Sequence, residues 1–241
     1  MIRRNKGMRF LGGFYAFPGG KVDPSDGEAD ALARVRGVAP TDAAARFGAA
    51  DGPTAIAYWV AAARELLEET GVLYACDAGG RPIDPRAPDV QAQIEACRRQ
   101  VMDGMPFAAA LTQRGWWCDL GALRYLSHFT TPPRSPIRFT ARFFVCPAPE
   151  GQEPRLFTEE TSEGFWIAPA EAYERFLDDQ MAMAEPAEYA LAYLSQFASL
   201  AALWTAHADG RARFEGTSHR SDALHPDWRR FRFPGRFGTG G

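Results

Sequence analysis

Arg64-Glu65-Leu66-Leu67-Glu68-Glu69-Thr70-Gly71-Val72 decides how the rest of the chain is read. On a helix, Glu65, Glu68 and Glu69 stand at i, i+3 and i+4, so three carboxylates leave one face within reach of a common point. Their mutual repulsion invites a divalent cation. Glutamate is also a common surface helix former, so Arg64 to Glu69 alone reads more readily as a solvated acidic face. The surroundings change that balance. From Thr54, an N-cap candidate behind Asp51-Gly52-Pro53, apolar residues recur at Trp59, Val60, Ala63, Leu66 and Leu67, and Gly71 supplies a C-terminal stop. Upstream, Phe17-Pro18-Gly19-Gly20 is a loop whose glycines let backbone groups approach a ligand.

Working outward from this helix, residues 8–17 are aromatic-rich and broken by Gly12-Gly13, as expected of a strand with a turn running into the glycine loop. Only Met1 to Asn5 precede it, so a first strand is expected to be missing or shortened, and the chain reads as one that could belong to a longer protein. Residues 24–53 form an inserted surface segment, with short helices at Ala29 to Arg36 and Ala43 to Phe47. A second insertion spans 77–114, a loop followed by helices over Val90 to Met102 and Phe107 to Arg114. It is expected to lie over the site as a lid or to act as a homodimer element. Leu123 to Thr131 and Ile137 to Cys146 are antiparallel strand candidates, and Gly164 to Ile167 is a further short strand. Pro169 to Asp178 and Ala187 to His207 read as helices. Residues 1–206 therefore form one domain, and 207–241 a C-terminal arm or tail.

Composition narrows the function classes. The 241 residues carry a formal charge of −3 and are 46% hydrophobic, enough for one well-packed core and without the charge excess of a polyanion binder. Cys76, Cys97, Cys118 and Cys146 stand apart with no paired spacing, which predicts reduced thiols in a cytoplasmic protein. No apolar run approaches the ~20 residues of a membrane span. The segment after Arg211 interleaves arginines with Phe and Trp; it is read as a docking arm in preference to a nucleic-acid surface.

The two motifs resemble the Nudix hydrolase family, whose signature begins G-x5-E-x7-R-E. Arg64 to Val72 matches its second half without substitution. Counting back from Arg64 puts Ile56 where the family has its first glutamate, and an insertion of about thirty residues precedes the helix, long by ordinary loop standards. A closer resemblance is to the branch with an interrupted box that includes the peroxisomal coenzyme A diphosphatases. Phe10 to Asp23, Thr130-Thr131-Pro132 and Arg138 to Phe144 are similar to segments of that branch, with Thr140 where an aspartate is usual.

The resemblance implies an α/β/α sandwich with a mixed sheet and helical insertions. It also implies metal-dependent hydrolysis of a small-molecule nucleoside diphosphate, coenzyme A or acyl-coenzyme A favoured, with ADP-ribose or NADH as alternatives. An inactive nucleotide-binding module is the reading of another class. Glu65, Glu68 and Glu69 become the catalytic and metal-ligating residues, with the Gly19 carbonyl beside them, and Arg64 an orienting salt bridge whose partner is Glu68 or an acid from elsewhere. All-oxygen ligands suit Mg2+ or Mn2+. Glu159, Glu160 and Glu163 are candidates for a further acid, or a hydrated acidic loop. Arg138 and Arg142 alternate with Phe139 and Phe143 on a predicted strand, so both share a face where they either hold substrate phosphates or form structural ion pairs. His128 is weighed as a group that polarises substrate, though a packed histidine is the more common case.

Overall fold

The computed structural model describes residues 1–7, 11–48, 51–131, 140–157, 161–208 and 214–217, the last by backbone alone. In chain order the elements are β1 Ile2–Arg4, β2 Tyr15–Ala16, a 3-10 turn Pro24–Gly27, α1 Ala29–Ala33, β3 Val35–Arg36, α2 Pro40–Phe47, α3 Gly52–Thr70, β4 Ala75–Cys76, α4 Val90–Met102 and α5 Phe107–Thr112. Then come β5 Trp117–Asp119, a 3-10 turn Leu120–Ala122, β6 Arg124–Thr130, β7 Thr140–Val145, β8 Thr161–Gly164, α6 Pro169–Leu177, α7 Glu185–Leu194, α8 Leu200–Ala206 and β9 Phe214–Thr217.

The strands form three sets, ordered β2-β1-β8, β3-β5-β4 and β7-β6-β9. The first is antiparallel; the second joins β3 to β5 in parallel and β4 to β5 antiparallel, and the third mixes directions likewise about β6. This is the α/β arrangement with mixed sheets that the sequence predicts. The short first strand is confirmed at three residues, yet β1 is the middle strand of its set, hydrogen-bonded on both edges.

Helix α3 is the axis on which the rest packs. Its cap is Asp51, whose carboxylate accepts from the Thr54 N–H at 2.7 Å, one turn's worth of orphan donors earlier than the predicted Thr54 cap. Gly71 ends it in the left-handed region at φ 72°, its N–H donating to the Leu67 carbonyl. Ile56, Trp59, Val60, Ala63 and Leu67 are buried in one cluster with Ile94, Phe107, Leu111, Cys118 and Tyr125. Trp59 meets its polar obligation there, Nε1 donating to the Leu123 carbonyl at 3.1 Å. Burying such side chains contributes on the order of 1.5–3 kcal/mol each, which anchors the helix carrying the acidic motif in the main core. A second cluster, built on Leu126, Phe129, Tyr173, Met181 and Leu191, joins α6 and α7 to β6.

Several boundaries differ from expectation. The first insertion, much of it exposed, also carries core contacts: Ala31, Val38 and Ala43 are buried, and the Phe47 ring stacks on Trp59 at 4.6 Å. Its alanines and glycines look hydrophilic in context because they are small, but small residues are what close helix packing against α3 requires. The predicted helix over 187–207 is two helices. Ser199 caps α8 by accepting from the Ala202 N–H at 3.2 Å, and the apolar face is reset across the break: Leu200 is exposed and Leu203 is buried instead. Strand β8 ends at Gly164 instead of starting there, and β2 is only two residues long. The arm does not stand apart, because β9 lies parallel to β6, Ser127 opposite Phe214. Residues 8–10, 132–139 and the tail from 218 lie outside the described residues. Among the described residues no helix is long and apolar enough to cross a membrane.

Candidate active site

Arg64 organises the acidic face. Its side chain is 5% exposed and the Asp26 side chain 1%, and the two meet fork to fork: Nε donates to Asp26 Oδ1 and Nη2 to Asp26 Oδ2, both at 3.0 Å. Nη2 also donates to the Lys21 carbonyl at 2.7 Å. Nη1 donates to Glu65 Oε1 at 2.9 Å and to Glu68 Oε1 at 3.0 Å. One guanidinium thus ties the acidic helix to the loop after the glycines.

Asp26 is the residue that sequence reasoning missed. Counting forward from Gly20, five residues lead to Asp26, the G-x5-E spacing with a shorter acid. Counting back from Arg64 leads to Ile56, which is fully buried in the apolar cluster and reaches no charge. The insertion therefore interrupts the motif after its first acid, not before it. Asp26 is itself held in place, since its Oδ2 accepts from the Asp23 N–H at 2.8 Å within a capping turn.

The glycine loop meets the helix at close range. Gly19 N–H donates to Glu69 Oε2 at 2.9 Å. A Cβ on Gly20 would run into the Glu65 carboxyl, which is the physical reason for glycine there. Burial pushes the Glu65 carboxyl above the ordinary glutamate range; Arg64 opposes the shift, and Glu68 and Asp23 add to it. Burial works against the Arg64 cation, yet the carboxylates of Asp26, Glu65 and Glu68 more than offset it, so Arg64 stays protonated at any working pH.

The donor set consists of carboxylate and carbonyl oxygens alone, which fits a hard divalent cation such as magnesium or manganese. Glu65 and Glu68 already converge on one positive atom, Arg64 Nη1. Among the described residues no group of three or more acids, histidines or cysteines is preformed as a metal cluster. Glu65 and Glu68 each give Nη1 only Oε1, while Asp26 and the Lys21 carbonyl hold the other side of the Arg64 guanidinium.

The other sequence candidates are placed elsewhere. Glu163 lies opposite Arg3 in the β1–β8 pairing; its Oε1 accepts from Arg3 Nη1 at 3.0 Å and from the Tyr15 hydroxyl at 2.9 Å, and these partners hold its carboxyl below the usual range. Arg142 sits in an aromatic box, its guanidinium carbon 3.7 Å from the Phe47 ring centre and 4.9 Å from that of Tyr58. Its Nη1 donates to the Tyr125 hydroxyl at 3.0 Å, and that hydroxyl is 2.7 Å from His128 Nδ1. Arg142 and His128 thus belong to one packed network across β6 and β7. Arg138, Glu159 and Glu160 lie outside the described residues.

A further latch holds the exit of α3. The Gln152 side chain accepts from the Leu73 N–H at 2.8 Å and donates to the Leu73 carbonyl at 2.9 Å, and Arg155 N–H donates to the Thr70 carbonyl at 2.9 Å. No sequence motif advertises these contacts, because they use the backbone of one partner.

The geometry agrees with what this chain is similar to. The model of the NUDT19 Nudix domain matches residues 1–194. Acyl-coenzyme A diphosphatase NUDT19 of Gallus gallus is 29% identical over 233 residues, covering 83% of this chain and 61% of the relative. The human protein of that name is 26% identical, covering 84% and 62%. The chain thus spans about three-fifths of the length of these curated relatives. The crystal structure of a NUDIX hydrolase from Alicyclobacillus acidocaldarius superposes with a TM-score of 0.67 at 34% identity, covering 85% of this chain and 86% of that one. With the family model covering residues 1–194, the chain belongs to the Nudix hydrolase family.

Proposed function

We propose that this protein hydrolyses the diphosphate bond of a nucleoside diphosphate linked to another moiety, with coenzyme A or an acyl-coenzyme A as the favoured substrate. The observation that carries the reading is the convergence of Glu65 and Glu68 on one cationic atom beside the Gly19–Gly20 loop, with Arg64 locked from behind by Asp26. The names of the NUDT19 relatives support the substrate class. ADP-ribose and NADH are the competing substrates.

Glu65, Glu68, Glu69 and the Gly19 carbonyl are the groups that would hold magnesium or manganese, which supplies charge neutralisation on the diphosphate oxygens and acidifies water. The protein's own contributions are separable. Where Glu68 and Glu69 hold the cation, Glu65 serves instead as the base that accepts a proton from attacking water, a role supported by its raised proton affinity and its carboxyl against Gly20. The Gly19 N–H orients Glu69, and Arg64 presents the helix to the loop. The α4–α5 turn lines the cleft beside Arg64 and Glu68, which supports a role for the second insertion at the site. A cytoplasmic setting is supported by four free cysteines.

The test is phosphate-ester release from coenzyme A, ADP-ribose and NADH with magnesium or manganese, comparing wild type with Glu65→Gln, Glu68→Gln and Glu69→Gln. Cation-dependent cleavage abolished by Glu68→Gln or Glu69→Gln is expected. A folded protein that cleaves none of the three would sink the reading.

A further inference from the structure

A shallow, open cleft of about 80 Å3 lies beside the acidic helix. One wall is polar, from Asp23, Ser25, Arg64 and Glu68. The rest of the lining, from Val101, Gly104, Met105, Pro106 and Phe107, forms a second wall contributed by the end of α4, the start of α5 and the turn between them. Val101 and Phe107 are anchored in the main core at 7% and 2% exposure, so this wall does not give way. Met105 is half-buried between them. Its N–H donates to the Gln100 carbonyl at 2.9 Å and its sulfur accepts from Gln113 Nε2 at 3.6 Å, which ties it to both helices. Pro106 has no N–H to offer, and the other three side chains have no strong donor or acceptor.

We infer that this apolar wall is a specificity element, and that it receives a branched aliphatic group lying next to the phosphate that Glu68 addresses. The inference rests on the diphosphatase reading above and deepens it. In coenzyme A the phosphate of the phosphopantetheine half is esterified to a methylene beside a quaternary carbon bearing two methyl groups. In ADP-ribose and NADH the corresponding place is a ribose. A ribose in that place sets hydroxyls unpaired against Met105 and Pro106, the accessible part of the wall, whereas the methyl groups bury against them. An apolar wall of this kind discriminates by about ten- to two-hundredfold, not more.

Met105 is the residue that tests it, since replacing it leaves the core anchors in place. Met105→Gln keeps side-chain volume and adds an amide; Met105→Leu keeps both volume and polarity. The ratio of kcat/KM for coenzyme A over ADP-ribose is expected to fall by about tenfold or more in Met105→Gln and to stay near wild type in Met105→Leu. An unchanged ratio in Met105→Gln, with wild type turning over both substrates, overturns the inference and leaves the diphosphatase reading standing. If wild type cleaves neither, that reading fails, and calorimetry in the presence of magnesium decides the wall's role. Wild type must then bind 4′-phosphopantetheine about tenfold more tightly than ribose 5-phosphate and lose that margin in Met105→Gln; equal binding by wild type overturns the inference as well.

Discussion

Asp26→Ala is the substitution that bears hardest on the site's architecture. It removes two charge-assisted hydrogen bonds from Arg64, both at 3.0 Å, and the acceptor for the Asp23 N–H at 2.8 Å. Breaking a buried ion pair by deleting one partner costs about 3–5 kcal/mol, because the other charge is left desolvated. Arg64 here keeps Glu65, Glu68 and the Lys21 carbonyl, so the lower end applies, ~3 kcal/mol. For a chain of this length that is a drop of roughly 6–12 °C in Tm. Chemical denaturation with an unchanged m-value measures the loss directly. The same substitution frees Arg64 to hold Glu65 and Glu68 more tightly, so more magnesium should be needed for half-maximal turnover. The companion variant Ile56→Glu separates the two ways of counting the motif. Ile56 is fully buried among apolar side chains, so a carboxylate there is expected to cost several kcal/mol and to give no rescue when combined with Asp26→Ala. A stability change under about 0.5 kcal/mol for Asp26→Ala, or recovery of the double variant, would refute the assignment of Asp26 as the partner of Arg64.

Gly20→Ala should separate chemistry from folding: its Cβ meets the movable end of the Glu65 side chain, so circular-dichroism melting should shift little while turnover falls by about tenfold or more as Glu65 is displaced. Gly71→Ala should do the opposite, lowering stability by about 1–2 kcal/mol, because residue 71 has φ 72° and the new Cβ would stand 2.7 Å from the Phe157 ring. Glu163→Gln should destabilise at neutral pH without altering the metal dependence of turnover. Its folded carboxyl lies below the ordinary value, so its stabilisation is present above the unfolded pKa and is lost as pH falls through the folded one. The difference in Tm between wild type and Glu163→Gln should therefore vanish in acid, and a difference that grows there would refute the Arg3–Glu163 account.

The acidic helix was legible because every requirement it meets is local. The 3.6-residue period sets which side chains share a face, and a glycine in the left-handed region sets where the helix stops, so Glu65, Glu68, Glu69 and Gly71 carry their own geometry in their spacing. The antiparallel strands β6 and β7 were legible for the same reason, each announcing itself by composition. The second insertion's helices also followed from local pattern, α4 occupying Val90–Met102 as predicted. What was illegible is whatever depends on a partner far along the chain. Gln152 holds Leu73 through backbone groups that every residue has, and β9 joins β6 by backbone pairing in which side-chain identity has no part.

Asp26 falls between these cases, and it shows how a motif survives interruption. A spacing rule has physical force only where the intervening backbone has fixed geometry. From Gly20 to Asp26 the chain is a short loop ending in a 3-10 turn, so five intervening residues place the acid; from Asp26 to Arg64 lie a turn, two helices and a strand, so no count applies. What the fold preserves across that stretch is a buried fork-to-fork pair at 3.0 Å. An insertion there is tolerated because it supplies its own core contacts, Ala31, Val38 and Ala43 against α3 and its neighbours, and so does not draw on the pair's stability. The same logic makes Phe47 more than filler. It closes the insertion against Trp59 on one side and the Arg142 guanidinium on the other, so the interrupting segment is clamped to both the acidic helix and the sheet. Asp26 can therefore approach Arg64 from one direction only, whatever the length of chain between them.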